Sequence, residues 1–357
     1  MKRNELVELS RKLSNANGAS GFEDDVVKAL YAYAEKYGDV LEDKLRNLYC
    51  FRKGNTGKKP VVQLDAHTDE VSFIVQAVKP NGTLRFLQLG RWVDEAVAGQ
   101  KVRVRNALGE YIPGVVATTP PHYRRGGSGG GIDTDQMTID VGASSKEEAE
   151  KAYHIRIGEP VVPDSEFYYD EAHDRMFGKA FDCRLGCSAI VGTLDTLKDE
   201  ELDVDVIAGW ACQEEMGMRG AVVTANRIKP DVAIVFEGCP ADDTCAEDYM
   251  VQTALDKGPM LRFIDAKMIT HPRFQRYALD LGEKRGIPLQ SGVRSGGATN
   301  GAPIHLAGLG IPVIVIGIPV RYIHAQFGIS ASKDLENASK LAAEVIRSLN
   351  QDVIDAF

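Results

Sequence analysis

The sequence of 357 residues is as informative for what it lacks as for what it holds. It has no run of about 18 apolar residues, so no segment reads as a membrane span. Its first residues, from Met1 to Leu13, begin with Lys2 and Arg3 but carry no apolar core of a secretion signal, and they read as an amphipathic helix. Basic residues are not in surplus: 42 Lys and Arg stand against 51 Asp and Glu, a net charge of -9, which argues against nucleic acid or an anionic membrane surface as partner. The six cysteines (Cys50, Cys183, Cys187, Cys212, Cys239, Cys245) form no CxxC pair, which excludes a zinc ribbon or a thioredoxin motif. With no signal segment in view they are expected as free thiols, and the chain is expected in the cytoplasm. The GxSxG pattern occurs only inside the glycine-rich run, Gly126 to Gly130, which lacks the strand-loop-helix frame of a serine-hydrolase nucleophile elbow. The glycine-rich run from Arg124 to Gly131 has no following Lys-Ser/Thr, and reads as a flexible loop rather than a phosphate cradle. No internal repeat is visible.

What is present is ordinary for a globular protein: 44% hydrophobic and 26% charged residues, in a chain long enough for more than one domain's core. The segment to about Tyr37 reads as helical, with Leu6, Leu9 and Leu13 on one face. Two β-type runs follow, the second ending at Leu64 and leading straight into Asp65-Ala66-His67-Thr68-Asp69-Glu70. From 71 to about 164 the texture changes to short β-runs (Phe73 to Val78, Leu84 to Leu89, Val102 to Val104, Tyr111 to Ala117, Met137 to Val141) separated by turns such as Pro80-Asn81-Gly82. Beyond about Asp164 strands and helices alternate. A helix follows Asp182, strands run from Val204 to Trp210, Val232 to Phe236 and Ile311 to Ile318, and an amphipathic helix closes the chain. The architecture expected is an α/β domain, residues 1–70 and 165–357, interrupted by a β-rich insert, residues 71–164.

Five polar clusters stand at the ends of these strands or the starts of helices, where open α/β sheets gather ligands. His67 with Asp69 offers a histidine of metal-ligand type beside a carboxylate able to hold its ring; alone the pair reads first as a surface turn. Asp182 alone reads as a helix N-cap, although its two oxygens suit a bridge between two ions. Glu214-Glu215 offers one ligand and one general base, or else a solvated pair opening a helix. Glu237 and His324 each follow a buried strand. Taken together, two His and several carboxylates in one α/β domain supply the mixed nitrogen and oxygen ligands of a dinuclear hydrolase. The run Gly296 to Gly301 lets backbone approach a substrate closely. His122, His154, His173, His271 and His305 lack such settings and read as structural or surface residues.

The motifs resemble those of the M42 family of metallo-aminopeptidases over almost the whole chain: Ala19 to Glu23, Asp65 to Val71, Phe181 to Cys187, Gln213 to Ala221 and Pro319 to His324, in the family's order. The resemblance implies an α/β/α metallopeptidase domain with a mixed sheet, and a barrel-like insert used for oligomerisation. It implies two divalent ions per subunit, zinc or cobalt with manganese as an alternative. His67, Asp182 and Glu237 would hold one ion, and Asp182, Glu215 and His324 the other. Glu214 would be the general base for a metal-activated water and Asp69 would orient His67. The implied substrates are peptides with a free N-terminus, and the implied assembly is a homo-oligomer built from dimers, up to a hollow tetrahedral dodecamer. The sequence departs from the family pattern at Glu237, where Asp is usual, at Thr299-Asn300 in the glycine-rich run, and after His324, where Ala325-Gln326-Phe327-Gly328 lacks the usual acidic residue. Two rival readings are an inactive metal-binding homologue and an endoglucanase-type glycosidase; adjacent glutamates cannot easily flank a glycosidic bond.

Overall fold

The computed structural model describes residues 1–119, 122 and 134–357, so the glycine-rich run from Arg124 to Gly131 lies outside the described residues. Eight strands form one mixed sheet in the order Gly38–Glu42, Leu48–Arg52, Asp205–Ala211, Val61–His67, Val232–Pro240, Val313–Val320, Met260–Ile264, Gln290–Val293. The middle four are parallel to one another, and Leu48–Arg52 and Met260–Ile264 flank them antiparallel. Strands covered on both faces read as nearly continuous apolar runs. Every residue of Asp205–Ala211 and of Val313–Val320 is buried. Successive side chains point to opposite faces. Ile234, Phe236, Ile314, Ile316 and Ile318 join a core shared with the helices Arg3–Asn15, Asp24–Ala34, Phe181–Leu197 and Ser332–Ser348. Ala233, Val235, Val313 and Val315 join a smaller core with the helices Arg219–Ile228 and Gly301–His305. The result is an α/β/α sandwich.

Three expectations need correction. The strand Val232–Pro240 runs past Phe236, so Glu237 lies inside a strand rather than after one. Asp182 does not serve as an N-cap: the helix Phe181–Leu197 is kinked at Asp182 (φ -86, ψ 107) and Cys183, and the Asp182 carboxylate faces His67 and His324 rather than a helix N–H. The N-terminal helix expected to reach Tyr37 is two helices, Arg3–Asn15 and Asp24–Ala34, although Leu6, Leu9 and Leu13 are buried as their spacing predicts. The break is forced by a buried charge cluster. Lys179 Nζ lies 2.6 Å from Glu70 Oε1 and Arg184 Nη2 lies 3.1 Å from the same atom, all three side chains out of solvent. The Gly18 N–H also donates to Glu70 Oε1 (3.0 Å), while Arg184 and Lys179 donate to Leu13 O and Ala16 O. A Cβ at Gly18 would lie 2.5 Å from Arg184 Nη2, so no larger residue fits there without displacing the guanidinium.

The β-rich insert contains a closed barrel of Ser72–Val78, Leu84–Leu89, Thr138–Asp140, Tyr111–Ala117, Lys101–Arg105 and Pro160–Pro163. Pro160–Pro163, absent from the expected runs, pairs with both Ser72–Val78 and Lys101–Arg105 and completes the ring. A four-residue segment ending in prolines carries little strand signal by itself. Phe73 fills the barrel core between Phe86, edge-on at 4.9 Å, and Trp92, stacked at 4.9 Å. The Pro80-Asn81-Gly82 turn has Gly82 at φ +85, with the Gly82 N–H bonded to Lys79 O (2.9 Å). A separate three-stranded sheet, Tyr168–Asp170, Arg175–Gly178 and Gly328–Ser330, packs beside the sandwich. Its strands are too short for periodicity to reveal.

Removing Glu70 would leave two buried cations without their acid, which costs about 3–5 kcal/mol for a buried pair broken on one side. Glu70→Ala is expected to lower the urea unfolding midpoint strongly, whereas Leu108→Ala, at an exposed barrel position, should barely move it. Equal midpoints for the two variants would show that the cluster does not hold the N-terminal helices.

Candidate active site

The four central parallel strands end on one edge of the sheet, and the polar residues named from the sequence follow from their ends. His67 closes Val61–His67, Gln213 to Glu215 follow Asp205–Ala211, Glu237 sits near the end of Val232–Pro240, and His324 follows Val313–Val320. Register brings two of them level. Val235 pairs with Asp65, so Glu237 and His67, each two residues further on, share a face of neighbouring strands. Asp182 arrives from the helical layer. Gln213, Tyr322 and His324 take left-handed backbone (φ 53, 59 and 57), a conformation costly for side chains of this kind and typical of constrained sites.

Asp182 lies at the centre. Its Oδ1 is 3.1 Å from His67 Nε2 and its Oδ2 is 3.3 Å from His324 Nε2. His67 Nε2 is also 3.2 Å from Glu237 Oε1, and His324 Nε2 is 3.6 Å from Glu215 Oε1. Two donor groups result, one of His67, Asp182, Cys183 and Glu237, the other of Asp182, Glu215 and His324, each with its ligand atoms within 4.8 Å of one another. Glu215 Oε1 and Glu237 Oε2 are buried with no hydrogen-bond partner. An orphaned carboxylate oxygen is costly in a protein interior, and one in each group, beside nitrogen donors, fits a divalent cation.

The charge state of the cluster follows from its crowding. Burial, reinforced by the Asp182 charge, raises the carboxyls of Glu215 and Glu237 well above the usual range. Burial and the Asp69 and Asp182 charges push Glu214 up to about 7, against the opposing influence of His67. Against the cost of burial, hydrogen bonds to Asp182, Asp69 and Glu237 hold His67 well above an ordinary histidine. Against the same cost, His324 and His67 hold Asp182 well below an ordinary carboxyl.

Asp69 stands behind His67. Its Oδ1 is 3.3 Å from His67 Nδ1, and it accepts hydrogen bonds from Glu214 N (2.8 Å), Glu215 N (3.1 Å) and Ser20 Oγ (2.6 Å). His67 Nδ1 is also hydrogen-bonded to the Asp69 backbone O (3.2 Å), so residue 69 faces the ring through both backbone and carboxylate while the carboxylate fixes the backbone of the paired glutamates. Glu23 extends this support: its Oε1 accepts from Gly21 N (2.8 Å) and Gln213 N (3.1 Å). Ser20 and Glu23 lie in the N-terminal motif, but one chain carries no signal linking that motif to Gln213. Cys183 Sγ lies within the first group by distance, but it donates to Phe236 O (3.2 Å) and burial pushes the thiol well up, so it does not present a thiolate to an ion. Asn300 does not enter the donor groups. Its Nδ2 donates to Asp65 Oδ1 (2.7 Å) beneath them, tying the glycine-rich run to the strand of His67. A Cβ at Gly328 would lie 2.8 Å from Val320 Cγ1, so the position has room for little more than glycine. His173, His271 and His305 bond to Asp170, the Phe274 N–H and Gly301 O, away from the cluster. A cavity of about 460 Å³ opens beside the donor groups, lined by Asp182, Glu214, Glu215, Glu237, His324 and the Gly296 to Ala298 backbone among others. That size suits a small ligand or peptide end.

The model of the family described as M42 glutamyl aminopeptidase matches residues 47–341. The glutamyl aminopeptidase of Lactococcus lactis subsp. cremoris is 32% identical over 352 residues, with 98% of each chain covered. Among solved structures, the TET aminopeptidase of the marine sediment archaeon Thaumarchaeota archaeon SCGC AB-539-E09 is 36% identical, with a TM-score of 0.94 over 99% of both chains. The TET1 peptidase of Pyrococcus horikoshii, which can assemble into a tetrahedron or a large octahedral shell, is 26% identical with a TM-score of 0.86, over 96% of this chain and all of that one. The family match spans most of the sequence, and the chain belongs to the M42 glutamyl aminopeptidase family of metal-dependent aminopeptidases.

Proposed function

We propose that the protein removes the N-terminal residue from peptides at a centre of two divalent ions, with Glu214 as general base. The observation that carries this reading is Asp182, one carboxylate whose two oxygens face two different histidines and so belong to both donor groups. His67, Asp182 and Glu237 would hold one ion, and Asp182, Glu215 and His324 the other. When bound, two ions of the zinc, cobalt or manganese type supply Lewis acidity to the peptide carbonyl and acidify water.

The chain's own groups do the rest. Glu214, raised toward neutrality by burial, takes a proton from the attacking water and returns it to the leaving amine. Asp69 keeps His67 Nε2 aimed at the centre by facing Nδ1. In this reading the insert, residues 71–164, is the assembly element of a dimer-based homo-oligomer, up to a tetrahedral dodecamer, in keeping with the assemblies of the P. horikoshii peptidase. Six cysteines without a disulfide favour a reducing compartment, the cytoplasm.

Glu214→Gln should retain both ions and lose about 10²- to 10⁴-fold in turnover on aminoacyl-p-nitroanilides. Wild-type rates in this variant would remove Glu214 from the mechanism. A loaded wild type that turns over no peptide would favour the inactive homologue, and activity on a glycan that survives chelation would favour the glycosidase.

Protons held by Glu215, Glu237 and His67 in the free protein must leave when a cation enters. Their carboxyl and imidazolium pKa values are raised, so protons compete with the ion more strongly as pH falls, and zinc affinity should drop on acidification. Calorimetric titration with zinc in buffers of differing ionisation heat should show proton release; heats that do not depend on the buffer would contradict it.

A further inference from the structure

We infer that Arg91 receives a carboxylate of the substrate. The inference deepens the aminopeptidase reading and rests on it. Three guanidinium groups line the cavity: Arg91, Arg262 and Arg294. Two are committed to other protein groups. Arg262 is buried, with Nη1 on Asp265 Oδ2 (3.3 Å) and Nη2 on Cys239 Sγ (3.0 Å). Arg294 Nη1 donates to Asp242 Oδ2 (2.9 Å), and its Nη2 to Thr253 Oγ1. Arg91 is exposed, and its side chain makes no hydrogen bond or ion pair with any other described residue. It does not pair even with Glu214 or Glu215, which line the same cavity.

The backbone presents Arg91 in a fixed place. It follows the barrel strand Leu84–Leu89 and sits between two anchored neighbours. Gly90, at φ +84, donates its N–H to Met216 Sδ (3.2 Å) and packs so closely that a Cβ there would lie 3.1 Å from Glu215 Cβ. On the other side Trp92 donates Nε1–H to Ser72 O (3.1 Å) and stacks on Phe73, and Val93 N–H donates to His324 O (3.2 Å). A segment of the insert thus touches the backbone or side chains of Glu215 and His324 and holds one unpaired cation over the cavity. Cations bound among the donor groups would neutralise the acidic floor, leaving the planar fork of Arg91 as the group suited to a substrate carboxylate. That carboxylate has two sources within reach of the cavity: the side chain of an acidic first residue, or the C-terminus of a short peptide.

Three amidated or free tripeptides separate the sources. One has Glu first and an amidated end, one has Leu first and a free carboxylate end, and one has Leu first and an amidated end. KM for each is measured with metal-loaded wild type, Arg91→Ala and Arg91→Lys, and binding of the same peptides is titrated calorimetrically in the Glu214→Gln background with and without Arg91→Ala. Arg91→Ala should weaken one carboxylate-bearing peptide about 2- to 5-fold more than the Leu peptide with the amidated end, in KM and in binding, the range for an exposed, screened ion pair. Arg91→Lys should recover part of the loss, and added salt should shrink it. Which carboxylate is affected names the source. Equal effects on all three peptides, or none, would overturn the inference. If wild type cleaves none of the peptides, the aminopeptidase reading fails, and the titrations alone decide for or against Arg91 by the same selectivity.

Discussion

Asp69 has no exposed surface and sits where several acids crowd together, yet its charge is fully used. His67 Nδ1 lies against one oxygen, and Ser20 Oγ, Glu214 N and Glu215 N supply hydrogen bonds. A buried carboxylate is tolerable only with such partners. Because those partners come from the N-terminal motif, from strand Val61–His67 and from the loop after Asp205–Ala211, satisfying this one group brings three distant segments to fixed positions. The aim of His67 and the course of the Glu214-Glu215 backbone both follow from it.

Two clusters of buried charge lie side by side here, and they are resolved in opposite ways. Glu70, the next residue after Asp69, is neutralised within the chain by Lys179 and Arg184, and this pairing pins the break between the first two helices. Among the described residues Asp182, Glu215 and Glu237 have only two histidines for cationic partners, and Glu215 and Glu237 each retain an orphaned oxygen. The first cluster is closed and structural. The second is incomplete without an external cation, and that difference, rather than burial alone, separates a scaffold from a site.

Much of the fold was legible because local chemistry wrote it. Apolar runs such as Val313–Val320 have the continuous pattern of strands covered on both faces, and Leu84–Leu89 and Tyr111–Ala117 fall where alternation puts them. Elements whose formation depends on partners were not legible. Pro160–Pro163 becomes a strand because two neighbours offer it hydrogen bonds, and the N-terminal helix breaks because Gly18 must lie against Arg184. Glu237 reads as the end of a strand only if the strand stops with its apolar run; pairing with Val313–Val320 carries it on to Pro240.

The sequence by itself determined the family, the residue types of the candidate centre and the strand ends that bear them, because motifs and periodicity are local properties of the chain. Tertiary structure alone decided that Asp182 stands between His67 and His324, residues separated from it by 115 and 142 positions. It also decided that Ser20 and Glu23 buttress the paired glutamates and that the insert delivers Arg91 to the cavity. Those juxtapositions arise from strand order, register and loop packing. Each depends on contacts between distant segments, so no window of sequence contains them.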